Sequence, residues 1–375
     1  MGKGPTFGDI LRHKLNNFTV QGRLLNTFEA LNFETKYNQT PLIIEKRKTD
    51  YGWFFALTLP AGISAKDVEG KLNYFEEQTG GTIELRHKGK TIWMDVCTYE
   101  HPDKIPFAFN PADHGKMFAP LPIGHNAKGK TVVIDLGDGI YHILCVGTVG
   151  GGKSNIIHQW AWSSIQAGYA TFIINTAKRE HDYLKNHAIV AQDKVTARKL
   201  LQQLNEEMDR RQLELEKYEA VKIQEYPHPE NMPVICVILD ELADFQDQEG
   251  IEALHRLLFL GRSSGLFVLA ATQRSSSKLF KSESFTEMRH LFNGRLCFKV
   301  NDRFTSDMAL GNDLACNLPT KADGTPVAGL AVWQHGASQI VKTMFFDIKQ
   351  ARREVANLPQ SKGVINIERP EFKRA

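Results

Sequence analysis

The chain has 375 residues, 42% of them hydrophobic and 24% charged; that length suits two domains, and that composition excludes bulk disorder. Its 46 Lys and Arg stand against 43 Asp and Glu, leaving a net charge of +3, so any surface built for a polyanion has to be local. Five cysteines, far apart and without a CxxC pair, exclude a disulfide framework and a zinc ribbon. The longest apolar runs, near 234–239 and 266–271, fall far short of the ~20 residues that span a bilayer, and no secretory signal opens the chain. The expectation is a reduced, cytoplasmic protein with no intrinsic membrane span.

In chain order, residues 7–15 and 24–33 carry apolar side chains at helical spacing, and 53–59 alternates as a strand. Ser64 suits the N-cap of a helix running to about residue 77. Gly80 and Gly81 break that helix, and 82–87 and 91–99 follow as strands around a Lys88-Gly89-Lys90 turn. This reads as a small α+β domain over 1–115, closed by a linker that Pro102, Pro106, Pro111, Pro120 and Pro122 punctuate. From residue 123 apolar strands alternate with helices: strands at 131–136, 141–146, 169–175, 234–239, 266–272, 296–300 and 329–333, and helices at 154–167 and 193–224. The last helix is highly charged, with acids and bases in similar numbers, and reads as a solvated face or a strut between subunits. Short continuous apolar runs are what strands buried on both faces of a parallel sheet require. The alternation predicts a three-layer α/β motor domain over 116–350 and a C-terminal tail over 351–375.

Gly147-Thr148-Val149-Gly150-Gly151-Gly152-Lys153-Ser154 matches the P-loop pattern in full, after an apolar strand and before a helix. Glycines let successive backbone N–H groups face phosphate oxygens, and the helix behind them aims its positive end at the same charge. Lys153 would reach the β- and γ-phosphates of ATP, and the Ser154 hydroxyl is a natural Mg²⁺ ligand. A second strand ends in Asp240-Glu241, 87 residues beyond Lys153. There Asp240 would hold the magnesium-bound water and Glu241 would polarise the attacking one. The spacing of the histidines gives no HExxH and no tight cluster, so no further metal site is expected.

Three segments together resemble the FtsK/SpoIIIE motors of the FtsK–HerA superfamily: the P-loop with its strand, Asp240-Glu-Leu-Ala-Asp244, and Gly261-Arg-Ser-Ser-Gly265 leading into Ala270-Ala-Thr-Gln-Arg274. Weaker echoes are Glu207-Met-Asp-Arg-Arg211 and Gly294-Arg-Leu-Cys-Phe-Lys-Val300. The chain departs from the family at Ser275, where the family has Pro, and at Asn175-Thr-Ala-Lys178, where it has Asp-Pro-Lys. The family's membrane anchor and winged-helix DNA-orienting domain are not evident. The resemblance implies a RecA-like P-loop NTPase motor behind a small α+β domain, assembled as a homo-hexameric ring that moves DNA, with double-stranded DNA the expected form, by hydrolysing ATP with Mg²⁺. It implies a γ-phosphate sensor at Gln273 and an arginine finger reaching the neighbouring subunit at Arg262, with Arg295 as second choice. It also implies a channel loop in which Arg274, Lys278 and Lys281 contact DNA phosphates without reading sequence. A membrane-bound or transfer-machinery protein is a further partner to expect. DNA transfer, segregation or conjugation is the leading role; viral genome packaging and protein secretion, which use related motors, are the alternatives.

Overall fold

A computed structural model describes residues 19–176, 179–242, 248–273 and 283–360. The chain divides into two compact units, residues 1–101 with 127–130, and residues 102–126 with 131–375. In the first, α1 (Val20–Ala30) precedes an antiparallel sheet of β1 (Leu42–Thr49), β2 (Gly52–Thr58), β3 (Thr82–Lys88) and β4 (Thr91–Cys97) in the order β1-β2-β4-β3. Between β2 and β3 lie α2 (Ala65–Glu69) and α3 (Leu72–Thr79). Leu24, Phe28, Phe55, Leu57, Phe75, Ile92, Met94 and Val96 form its core. Asp95 is buried there, and it accepts hydrogen bonds from Tyr51 Oη at 2.5 Å and Lys128 Nζ at 2.7 Å.

The second unit is a ten-stranded sheet in the order β6-β5-β14-β13-β12-β7-β11-β10-β8-β9. Its strands are β5 (Pro120–Asn126), β6 (Thr131–Asp135), β7 (Ile143–Val146), β8 (Ala170–Ile174), β9 (Ile189–Ala191), β10 (Ile235–Leu239), β11 (Leu266–Thr272), β12 (Gly294–Phe298), β13 (Leu330–His335) and β14 (Ala337–Lys342). From β12 through β7, β11, β10 and β8 to β9 the pairing is parallel, while β13, β14, β5 and β6 extend the sheet antiparallel. Helices α4 (Lys153–Gln166), α5 (Lys194–Lys217), α6 (Gln248–Leu260), α7 (Glu283–Leu291), α8 (Arg303–Leu310) and α9 (Ile348–Glu354) accompany it.

Side chains of the central strands alternate between two cores. Leu144, Val146, Val237, Leu239, Val268 and Ala270 face α5 and α6, whereas Ile143, Cys145, Cys236, Ile238, Leu269 and Ala271 face α4, with Trp160 at its centre. That two-sided burial is the physical reason these strands read as unbroken apolar runs. All five cysteines are free.

Several local expectations change. The stretch of prolines ends in a strand: β5 contains Pro120 and Pro122, with a register shift between Pro122 and Gly124. Proline is tolerable there because the strand is bulged, and the carbonyl of Pro122 accepts Trp160 Nε1 at 3.0 Å. The expected helix over 64–77 is two helices that break at Gly70-Lys71; Ser64 does cap the first, in a capping box with Asp67. The charged helix ends at Lys217, and Glu219 lies in the left-handed region at φ 53°. One of its faces is no solvated strut, since Ala197, Leu200, Leu201, Leu204 and Met208 enter the core. Strands β1, β9 and β14 and helices α6, α7, α8 and α9 go beyond the elements read from the sequence.

Candidate nucleotide site

Register places three strand ends side by side. Parallel pairing sets Val146 opposite Thr272 and Leu239 opposite Ala270, so Gly147, Asp240 and Gln273 all emerge at the carboxyl edge of the sheet. In open parallel sheets that edge is where ligands bind. β11 lies between the strand of the P-loop and the strand of the acidic pair.

The loop's glycines answer to Phe298, at the end of β12. A Cβ on Gly147 would lie 2.6 Å from Phe298 Cβ, and one on Gly152, at φ +129°, would lie 2.8 Å from Phe298 Cε1. The turn therefore rests on an aromatic ring that no larger residue at these two positions could approach. Thr148 pins the loop to the same strand: its N–H and its hydroxyl donate to the Lys299 carbonyl at 3.1 and 3.0 Å. Val149 projects from the tip, 79% exposed. Gly150, at φ +81°, faces open space. Gly151 donates to Thr148 O at 3.3 Å and accepts from Gly329 N at 2.8 Å. Gly152 is the N-cap residue of α4, which begins with Lys153 and Ser154. The Lys153 ammonium is folded back into the loop, 5% exposed, donating to the carbonyls of Gly147 at 2.5 Å and Thr148 at 3.1 Å.

Asp240 is buried at the end of β10 and accepts from Asn175 Nδ2 at 2.7 Å. His181 Nε2 stands 3.7 Å from the same carboxylate oxygen. Burial pushes the His181 imidazole down to about 4, so at neutral pH this is a neutral ring beside a carboxylate and no ion pair. Glu241 is held from two sides by the neighbouring strand: Thr272 Oγ1 donates to Oε1 at 2.6 Å, and Gln273 N donates to Oε2 at 3.1 Å. The backbone of Gln273 thus fixes the carboxylate orientation.

Arg262 lies at the other end of β11. It is exposed, with its guanidinium 3.7 Å above the Tyr141 ring. The seven residues Leu266–Thr272 separate it from the carboxyl edge by about 20 Å at ~3.3 Å per residue, so it is out of reach of its own P-loop. Arg295, the second choice for a finger, is spoken for. Its guanidinium donates to the carbonyls of Phe292, Ala309 and Arg289 at 3.3–3.5 Å, knitting the C-terminal ends of α7 and α8 to β12. Arg274, Lys278 and Lys281 lie outside the described residues.

Sequence reading passed over four contributors. Thr272 was visible in the Ala-Ala-Thr-Gln-Arg string, but its hold on Glu241 depends on strand order. Phe298 was visible in the Gly294-Arg-Leu-Cys-Phe-Lys-Val300 string, but nothing local ties it to the glycines of the loop. Asn175 stood out only as a departure from the family, and His181 not at all, because its neighbours come from distant parts of the chain.

A glycine loop leading into a helix, an acidic pair two strands away and a polar strand end between them define the fold as that of a RecA-like P-loop ATPase motor, on a large, mostly parallel sheet. No family model matches the chain. In sequence it is similar to DNA translocase FtsK of Helicobacter pylori (strain J99), 27% identical over 220 residues, covering 54% of this chain and 26% of that protein. It is also similar to the transfer protein TraSA of Streptomyces ambofaciens, 33% identical over 114 residues, 26% of this chain and 27% of that protein. The chain thus matches about a quarter of the length of these relatives. Among solved structures it resembles the pCW3 conjugation coupling protein TcpA, solved as a monomer with ATPgS, with a TM-score of 0.61 at 19% identity over 90% of this chain and 99% of that one. It resembles the type VII secretion ATPase EccC of Thermomonospora curvata with a TM-score of 0.55 at 19% identity, over 68% and 32% of the two chains. These relatives bear out the resemblance to FtsK-type motors drawn from the motifs.

Proposed function

We propose that the chain is an ATP-driven DNA translocase that works as a ring of identical subunits in DNA transfer or segregation. The observation that carries the hydrolytic half is the Glu241 carboxylate, fixed by Thr272 and Gln273 on the strand next to the P-loop. The DNA half rests on the sequence match to FtsK translocases.

Lys153 exchanges its two backbone carbonyls for the β- and γ-phosphate oxygens, and the amides of residues 147–154 cradle the chain of phosphates. The donors near the phosphates fit Mg²⁺, being hard oxygens: the Ser154 hydroxyl and, through water, the Asp240 carboxylate. Among the described residues, Asn175 and the neutral His181 ring stand behind Asp240. When bound, the ion neutralises charge on the phosphate oxygens. Glu241 accepts a hydrogen bond from the attacking water and takes its proton as the water oxygen bonds to the γ-phosphorus and the bond from that phosphorus to the β–γ bridging oxygen breaks, leaving ADP and phosphate. Gln273 senses the γ-phosphate through the same strand end.

Arg262 acts in trans, since the length of β11 keeps it from its own site. An Arg262→Ala protein should bind ATP normally and hydrolyse it poorly. Mixed with Lys153→Ala protein it should regain part of the turnover, because mixed rings contain interfaces with both an intact loop and an intact finger. Absence of recovery in rings shown by mass to be mixed would remove Arg262 from this role.

Arg274, Lys278 and Lys281 serve as phosphate contacts for DNA. Replacing all three by Ala should weaken binding to unrelated duplexes about equally and lower the slope of log affinity against log salt by roughly one per lost contact. ATP turnover without DNA should persist, while its stimulation by duplex DNA should disappear. Wild-type protein whose ATPase responds to a secreted peptide and ignores DNA would overturn the translocase reading.

A further inference from the structure

Behind Asp240 lies a buried chain of polar rings that the proposed chemistry leaves unused. His181 is 1% exposed and His158 0%. Their rings meet edge to face, with centroids 4.3 Å apart and planes at 68°. Tyr183 Oη lies 3.0 Å from His158 Nδ1, and Phe346 stacks parallel to His158 at 6.1 Å. Burial pushes His158 down to about 3, so both imidazoles are neutral. Among the described residues neither ring nitrogen of His181 has a hydrogen-bond partner, nor does Nε2 of His158.

Buried polar atoms without partners are uncommon, and each one left in that state costs free energy. A histidine that merely filled space here would be replaced without loss by an apolar side chain of similar size. The position of His181 argues otherwise. Its Nε2 is 3.7 Å from Asp240 Oδ2, short of a hydrogen bond by less than 1 Å. The edge-to-face contact with His158, itself anchored on Tyr183, fixes the plane in which that nitrogen points.

We propose that His181 is a positioning residue for Asp240: its Nε2–H donates to Oδ2 when that carboxylate turns to hold the magnesium-bound water, while Asn175 continues to hold the same group from the other side. Oδ2 has lone pairs for both donors. The chain Tyr183–His158–His181–Asp240 thereby sets the carboxylate's orientation from beneath, as outer-shell donors do for metal-binding groups generally. His181 touches neither nucleotide nor ion. This inference rests on the nucleotide and magnesium reading given above.

The test uses the full chain loaded with ADP, with Mn²⁺ as the ion and electron paramagnetic resonance as the readout, alongside ADP affinity in EDTA. His181→Leu should leave ADP affinity in EDTA unchanged and weaken Mn²⁺ binding about tenfold, the loss expected for one hydrogen bond to a charged group. His181→Gln, which keeps an N–H at a similar reach, should recover Mn²⁺ affinity to within about threefold of wild type. Folded His181→Leu protein with wild-type Mn²⁺ affinity would overturn the proposal. Wild-type protein that failed to bind ADP in EDTA would overturn the nucleotide reading and the proposal with it, a result separate from the first. The wild-type protein also gives a readout independent of any variant's folding. The ¹⁵N shifts of His181 in the Mg·ADP complex should show a proton on Nε2 and none on Nδ1, and the opposite tautomer would equally overturn the proposal.

Discussion

A Glu241→Gln protein should bind ATP as tightly as wild type and hydrolyse it at least about 100-fold more slowly, the scale on which a positioned general base contributes. The carboxamide is nearly the same size, and its oxygen in the Oε1 position can still accept from Thr272 Oγ1 and Gln273 N, which stand 2.6 and 3.3 Å from that atom of Glu241. What is lost is the capacity to take a proton. Lys153→Ala should show the opposite split. Removing the ammonium that sits at 2.5 Å from Gly147 O takes away a charge-assisted contact to phosphate, so ATP binding should fall about 100-fold or more. Equilibrium binding of a fluorescent ATP analogue and single-turnover hydrolysis, measured on both variants, separate the two effects. Near-normal turnover by Glu241→Gln would remove it as the base. Unchanged nucleotide affinity of Lys153→Ala would remove the P-loop reading altogether.

The parts of this site that could be read in the sequence are those whose geometry is local. The P-loop is eight consecutive residues between a strand and a helix, so its cradle follows from chain order alone, and Asp240-Glu241 follows from the apolar run before it. The parts that escaped are those assembled across the sheet. Thr272 meets Glu241 only because β11 pairs with β10 and β7 at once, and strand order has no short-range signature. Arg295 is an intermediate case: its guanidinium donates to the carbonyls of Phe292 and Arg289, within six residues of it, and of Ala309, fourteen residues on. Pro120 and Pro122 misled for a different reason. Proline is a sound breaker signal in an unbroken ladder, but β5 is bulged between Pro122 and Gly124, and the bulge accommodates what regular pairing would reject.

The buried pair Glu207–Arg211 on α5 ties the helix layer to the sheet that carries the site, and breaking it should be the costliest single change outside the hydrophobic core. Arg211 is 0% exposed. Its Nε donates to Glu207 Oε1 at 2.8 Å, and its two terminal nitrogens donate to Ser264 O at 3.0 Å and Pro233 O at 2.8 Å. Those carbonyls sit just before β11 and β10, so a single guanidinium fixes α5 against the amino ends of both strands. Burial alone would push the Glu207 carboxyl up, but hydrogen bonds from Arg210 and Arg211 outweigh it and hold the group below the usual range. Burial pulls Arg211 below its ordinary value despite Glu207; an arginine nonetheless stays charged in a protein. Arg211→Leu leaves the carbonyls of Ser264 and Pro233 without donors and Glu207 held by Arg210 alone, and should cost about 2–4 kcal/mol. Chemical denaturation should therefore show a clear fall in midpoint. Glu207→Leu in the same chain should recover little of the loss, because Arg210 already pairs with that carboxylate and the carbonyls of Ser264 and Pro233 remain without their donor. A depressed carboxyl gives stability that is present above its unfolded value near pH 4.3 and is lost as pH falls through the lower folded value. The wild-type protein should thus lose this contribution only below about pH 4, while the double variant should lack that part of the acid sensitivity. A single Arg211→Leu variant as stable as wild type would show that the pair does not hold the two layers together.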